Sequence, residues 1–153
     1  MKKVLFVLAI SVLAFSCIKS DKGCEAIKPS AEEAQIVAYA AASGITATKD
    51  PSGIFYQIIE EGAGASPTVQ DTVSVTYTGK FLNGAIFDQS SSAITFPLNR
   101  VIEGWQIVMP KIKKGGRVKM ILPSAYAYGC TGYAPKIGGN EILFFDVTLV
   151  DVK

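Results

Sequence analysis

The stretch Val73-Ser74-Val75-Thr76-Tyr77-Thr78-Gly79, followed closely by Asn83-Gly84-Ala85-Ile86-Phe87-Asp88, decides the fold. Its first half alternates, with Val73, Val75 and Tyr77 on one face and Ser74, Thr76 and Thr78 on the other. A period of two in β-branched and aromatic residues suits a strand with one buried face. Asn83-Gly84 is a turn signal, because both residue types tolerate a positive φ. Asp71–Asp88 is therefore predicted to form a hairpin. It brings a phenol (Tyr77), a ring (Phe87) and a carboxylate (Asp88) toward one concave surface.

On the C-terminal side, Ser90-Ser91-Ser92 reads as a polar connection. Ile94-Thr95-Phe96-Pro97-Leu98 reads as a separate short strand whose proline implies an edge or a bulge. Val101–Met109 is the helical candidate of this region, with Ile102, Trp105 and Met109 on one face at spacings of three and four. Gly104 beside the tryptophan would let that helix lie close to the sheet. Lys111–Gly116 is a basic turn and Arg117–Leu122 an alternating strand. Ser124–Asn140 is a long loop rich in glycine and tyrosine, and Glu141–Val152 is a final strand. On the N-terminal side, Ile54–Glu60 is a strand and Gly62–Pro67 a loop. About five strands around one short helix is an α+β pattern.

Further upstream, Ser30-Ala31-Glu32-Glu33 reads as a capping box that opens a helix, and Gly44 closes it. Ile36, Val37, Tyr39 and Ala40 give that helix a partial apolar stripe, which suits packing on the domain. Such a stripe also serves dimer contacts, so the expected state is a monomer or a weak dimer. Thr46–Ser52 reads as a linker.

The N-terminus has the form of a leader. Met1-Lys2-Lys3 is basic and Val4–Phe15 is apolar but for one serine, too short for a membrane span of about 20 residues. The run ends in Leu13-Ala14-Phe15-Ser16-Cys17, which resembles a bacterial lipoprotein signal with Cys17 as the lipid-modified residue. Ala14 stands where such signals usually carry leucine. The expected organisation is a signal peptide over 1–16, a tether over 17–29, a helix and linker over 30–52, and a domain over 53–153. The expected location is the cell envelope, lipid-anchored and facing the periplasm or the exterior.

Composition narrows the chemistry. The chain has 153 residues, 15 basic and 13 acidic, and no histidine. Loss of Lys2 and Lys3 with the leader would leave it near neutral, and no basic patch points to nucleic acid. Without histidine there is no Ser-His-Asp or Cys-His catalytic unit and no histidine-bound zinc. The 3 cysteines form no Cys-x-x-Cys pair. With Cys17 lipidated, Cys24 and Cys130 are left as either a disulfide or two free thiols.

Aromatic groups crowd the helix and the long loop. Tyr77, Phe87, Phe96, Trp105 and Tyr128 would be ordinary core in most domains. Yet Tyr126-Ala127-Tyr128-Gly129-Cys130-Thr131-Gly132-Tyr133 is too aromatic for a passive connection, and loops of this length are often functional.

From about Gly53 to Lys153 the chain resembles the FKBP-type peptidyl-prolyl cis-trans isomerases, the macrolide-binding immunophilins. Five motifs in order carry the resemblance: Val75-Thr76-Tyr77-Thr78-Gly79, Asn83-Gly84 with Phe87-Asp88, Val101-Ile102-Glu103-Gly104-Trp105, Ala125-Tyr126-Ala127-Tyr128-Gly129 and Leu143-Phe144-Phe145-Asp146-Val147. The resemblance implies a twisted antiparallel sheet wrapped around one short helix, with the site between them. It implies that Tyr77, Phe87 and Phe96 wall the pocket, that Trp105 is its floor, and that Val101 and Ile102 line it. The Ile102 amide and the Tyr128 hydroxyl would bond substrate carbonyls, Phe145 would close the far wall, and Ile137 would touch ligand from the loop. Asp88, Tyr128, Tyr77 and Phe87 are the expected catalytic group. Asp88, taken as a buried acid, either orients Tyr77 or stabilises developing dipoles, or else anchors the turn. No cofactor or metal is implied. The implied partners are proline-containing polypeptides, with a macrolide as a further ligand.

Some residues depart from the family pattern. Ile94 stands where an aromatic is common, Tyr133 where histidine is frequent, and Cys130 where a small residue is usual. Gly138-Gly139 replaces a typical Pro-Pro, which predicts a looser end to the long loop.

Overall fold

A computed structural model describes residues 23–153. The leader, the lipidation site Cys17 and the first part of the tether lie outside the described residues. Eight elements are needed here: α1 (Pro29–Ala42), β1 (Thr48–Lys49), β2 (Phe55–Glu60), β3 (Thr72–Phe81), β4 (Ile86–Pro97), α2 (Glu103–Val108), β5 (Arg117–Leu122) and β6 (Leu143–Val152). The strands form one 6-stranded antiparallel sheet in the order β1-β2-β5-β6-β3-β4.

Strand alternation sorts the side chains onto two faces. Val73, Val75, Val118, Met120, Leu143, Phe145, Val147 and Leu149 form the main core with Trp105, Val108 and Met109 of the α2 region. Phe55, Ile121 and Phe144, one step out of phase, form a second core with Ile36 and Ala40 of α1. So α2 covers one face and α1 part of the other. Gly104 is what lets α2 sit close, since a Cβ there would lie 2.6 Å from both methyl carbons of the buried Leu122.

The hairpin prediction holds for β3, the turn and the start of β4. Beyond it the structure differs. Ser90–Ser92 is not a connection, and Ile94–Phe96 is not a separate strand: β4 is continuous from Ile86 to Pro97. Its pairing partners jump from Ile94, opposite Val75, to Ser90, opposite Tyr77. A bulge swallows the serine-rich segment and keeps the ladder in register on both sides. Pro97 ends the strand at the sheet edge, where its missing N–H costs no ladder bond.

The N-terminal helix also starts differently. Pro29 is its first residue and Lys28 its N-cap, with no side-chain capping bond. Pro29 takes the first helical position because its φ is already helical and an amide there would be unpaired anyway. Ser30 is thus inside the helix, and Glu33 pairs with Lys49 at 2.7 Å instead of closing a capping box. Val37 is 49% exposed, so the buried stripe is Glu32, Ile36 and Ala40 at a spacing of four. The C-terminus is as expected: Ile45 N–H donates to the Ala40 carbonyl at 2.8 Å around Gly44, whose φ is +63°. That is a Schellman closure with its hydrophobic contact between Ile45 and Ala40. Within the predicted linker, Thr48 and Lys49 pair with Tyr56 and Phe55, adding a short sixth strand.

Candidate active site

Three strands (β3, β4 and β6), the α2 region and the long loop converge on one pocket. It has a volume of about 120 Å³ and is lined by Tyr77, Phe87, Asp88, Phe96, Val101, Ile102, Trp105, Tyr128 and Phe145. An apolar cavity of roughly 150 Å³ accepts a benzene molecule. This pocket therefore suits one small ring and little more.

The strands set the walls. Met120, Phe145, Gly79 and Asp88 form one transverse row across β5, β6, β3 and β4. Tyr77 lies two residues from Gly79 and so shares its face, within diagonal reach of Asp88. Phe87 and Asp88 are neighbours in sequence and should point to opposite faces. They do not, because the register shifts here: Asp88 faces Gly79, Ile86 faces Lys80, and Phe87 is the extra residue. This second bulge is the reason a ring and a carboxyl group enter the pocket side by side. Gly79 makes room for them, since a Cβ there would lie 2.6 Å from the Phe87 ring and 3.0 Å from Phe145.

The floor is Trp105, 4% exposed, with rings packed around it. Tyr77 and Phe145 meet it edge-on at centroid distances of 5.5 and 5.4 Å, and Phe96 meets it tilted at 5.8 Å. Phe87 in turn meets Phe145 edge-on at 5.5 Å and Phe81 at 5.1 Å. Edge-to-face contacts favour fixed ring orientations, so the box is held rigid.

Polar groups are few and directed. The Tyr77 hydroxyl donates to Asp88 Oδ2 at 2.7 Å. Asp88 is exposed, not buried as expected from the sequence. Its second oxygen accepts from the Gln89 amide at 3.1 Å. Burial, and then the bond to Asp88, push the Tyr77 phenol far above its ordinary value. Burial also raises Tyr128, and the charge of Asp88 adds to it. Both phenols are therefore neutral donors at any physiological pH. Among the described residues, neither the Tyr128 hydroxyl nor the Ile102 amide has a hydrogen-bond partner, leaving both donors for a bound carbonyl. No group of three or more histidine, cysteine or acidic residues suited to a metal occurs among the described residues.

Nine of the ten expected catalytic and substrate-binding residues line this pocket. The exception is Ile137, which is 4% exposed in the main core and does not line the pocket. Tyr133 folds back to pair with Ile137 in a small bridge, and this turns the Ile137 side chain inward. Cys24 and Cys130 form a disulfide with Cα atoms 5.5 Å apart. Gly139 passes so close to the Cys130 carbonyl that a Cβ would collide with it. Glycine is needed there for close approach, where the sequence had suggested slackness.

Sequence reasoning missed Glu32. It is 4% exposed, and its Oε2 accepts the Ser124 backbone N–H at 2.8 Å. A signal was present: a carboxyl group one turn before Ile36 on the apolar stripe.

Fold and pocket together define an α+β domain built to hold a small ring among fixed aromatics, with donors at the rim and no proton shuttle. A family profile described as FKBP-type peptidyl-prolyl cis-trans isomerase matches residues 64–150. The chain is 41% identical over 105 residues to the peptidyl-prolyl cis-trans isomerase Mip of Coxiella burnetii, covering 67% of this chain and 46% of that protein. It is 43% identical over 105 residues to the FKBP-type peptidyl-prolyl cis-trans isomerase FkpA of Escherichia coli, covering 67% and 38%. The chain thus spans less than half the length of these two relatives. The crystal structure of FkpA from Escherichia coli superposes with a TM-score of 0.72 at 37% identity, over 82% of this chain and 61% of that one. A peptidyl-prolyl cis-trans isomerase from Pseudomonas syringae superposes with a TM-score of 0.71 at 29% identity, over 86% and 99%. The chain belongs to the FKBP-type peptidyl-prolyl cis-trans isomerase family.

Proposed function

We propose that this chain catalyses cis-trans isomerisation of X-Pro bonds in exported polypeptides. The observation that carries the reading is the convergence of Tyr77, Phe87, Asp88, Trp105 and Tyr128 on one ring-sized pocket. The barrier to rotation, about 18–20 kcal/mol, comes from amide resonance, and no proton or nucleophile is needed to cross it. The proline ring rests on Trp105 between Phe87, Phe96 and Phe145. Stripped of water in this apolar box, the planar amide loses the solvation that favours its charge-separated form. The Ile102 amide and the Tyr128 hydroxyl hold carbonyls in the twisted geometry. Only binding that is stronger in the twisted state accelerates the step, so fixed donors matter more than tight ones. Tyr77 is locked by Asp88 and presents a fixed wall.

The leader motif supports an envelope location with a lipid anchor on Cys17, and the domain plan over 17–29, 30–52 and 53–153 fits a tethered catalytic unit. A relative 39% identical over 106 residues is named outer membrane protein MIP, from Legionella longbeachae. The test is catalysed isomerisation of a proline tetrapeptide, with and without a macrolide. Turnover abolished by macrolide supports the enzyme. Macrolide binding without turnover would make the pocket a recognition site for proline-containing segments.

A further inference from the structure

The long loop that carries Tyr128 is held from outside the isomerase domain. At its start, the Ser124 N–H donates to Glu32 Oε2 of α1 at 2.8 Å. In its middle, Cys130 is bonded to Cys24. At its end, Asn140 Nδ2 donates to the Glu25 carbonyl at 3.3 Å. The three anchors are tied together within the loop. Gly129 N–H donates to the Ser124 carbonyl and Asn140 N–H to the Gly129 carbonyl, each at 2.8 Å. Tyr128 lies inside this frame, one residue before Gly129 and two before the disulfide. Among the described residues its own hydroxyl has no partner to fix it. Its ring packs on the main core and against Tyr133 at 5.5 Å, so where the hydroxyl points depends on the backbone around it, and residues 24–32 hold that backbone at three points.

We infer that the segment Cys24–Glu32 is a clamp on the Tyr128 loop and that Glu32 is a positioning residue for the Tyr128 hydroxyl. The inference rests on the isomerase reading for its kinetic consequence but not for its structural one. Glu32 is suited to the task because it is buried. Buried, the carboxyl group gives up its solvation; among the described residues Oε1 has no partner and Oε2 has only the Ser124 amide, so that one bond is costly to lose. The relation between the anchors is one of shared geometry. Losing one loosens the frame, and a displacement of an ångström at a donor can cost up to roughly a hundredfold in rate.

The full chain is compared with Glu32→Ala, Glu32→Gln and the double Cys24→Ser, Cys130→Ser variant. Hydrogen exchange of residues 124–140 is measured without substrate, and kcat/KM is measured on a proline tetrapeptide. Glu32→Ala and the double serine variant should exchange faster across 124–140 and lose roughly tenfold in kcat/KM. Glu32→Gln keeps an acceptor for Ser124 and should stay within about twofold of the parent. The decisive readout is coupling. In a Tyr128→Phe background, Glu32→Ala should cost little further, because the hydroxyl it positions is gone. Full additivity with Tyr128→Phe, or unchanged exchange in both loosened variants, would overturn the clamp. If the parent itself does not turn over, the isomerase reading fails while exchange alone decides the clamp.

Discussion

Tyr77 and Asp88 are joined across the hairpin by a 2.7 Å hydrogen bond that a bulge at Phe87 makes geometrically available. The phenol is fixed at its ring by Trp105 and at its tip by Asp88. This is a rigid wall, and it predicts how the pocket responds to small changes.

Asp88→Ala frees the Tyr77 hydroxyl without touching the core. Stability should fall by only about 1–2 kcal/mol, since the two bonds lost, from the Tyr77 hydroxyl and the Gln89 amide, are both exposed. Peptide turnover should fall roughly tenfold, because the effect lies in orientation. Thermal melts alongside peptide kinetics would separate the two. A large loss of melting temperature would show instead that Asp88 mainly anchors the turn.

Gly79→Ala should be more harmful than its chemistry suggests. A Cβ would press on Phe87 at 2.6 Å and on Phe145 at 3.0 Å, displacing two rings that line the pocket. Overpacking of this kind costs about 1–3 kcal/mol. The expected result, measured by calorimetry, is weakened binding of the proposed ligands, a proline peptide or a macrolide, in a protein that still melts cooperatively.

Trp105 is the single tryptophan of the chain, and it forms the pocket floor. Tryptophan fluorescence, excited beyond the tyrosine absorption band, therefore reports on the pocket. Titration with a macrolide or a proline peptide should shift the emission. A ligand that binds without changing the emission would have to bind elsewhere. Trp105→Ala should destabilise by about 3–5 kcal/mol, as buried aromatic truncations do.

The phenols of Tyr77 and Tyr128 are both raised, chiefly by burial, so the unfolded state gives up these protons first as pH climbs. Their contribution to stability is full below the ordinary phenol value near 10 and falls as pH rises beyond it. Ultraviolet titration should show two of the 6 tyrosines ionising late, and Asp88→Ala should bring Tyr77 forward. Turnover should be flat through neutral pH, where no histidine is present to titrate.

Much of this was legible because the signals were local. Tyr77 shows its face by alternation, the turn by Asn83-Gly84, and Gly104 its purpose by standing next to Trp105. What stayed hidden depends on pairing. The serine-rich part of β4 looks like a connection until Ile94 and Ser90 are seen opposite Val75 and Tyr77. Phe87 and Asp88 cannot share a face in a regular strand, and nothing in their own sequence announces a bulge. Ser30 offered a sound capping box, and Pro29 won because a proline at the first helical position is already in helical geometry. Ile137 looked like a ligand contact until Tyr133 was seen to turn it inward. The role of Glu32 needed Ser124, 92 positions away.

The place of β6 in the sheet has a consequence for biosynthesis. It is the latest strand in chain order, yet it lies between β5 and β3 and supplies alternate residues to both cores. Until it has emerged, β3 with β4 and β2 with β5 are two fragments, each with an open edge where β6 belongs. The sheet cannot close around α2 during synthesis, and long-range closure of this kind is slow. On the export proposed above, a chain that must cross a membrane before it folds would be helped by that order of assembly.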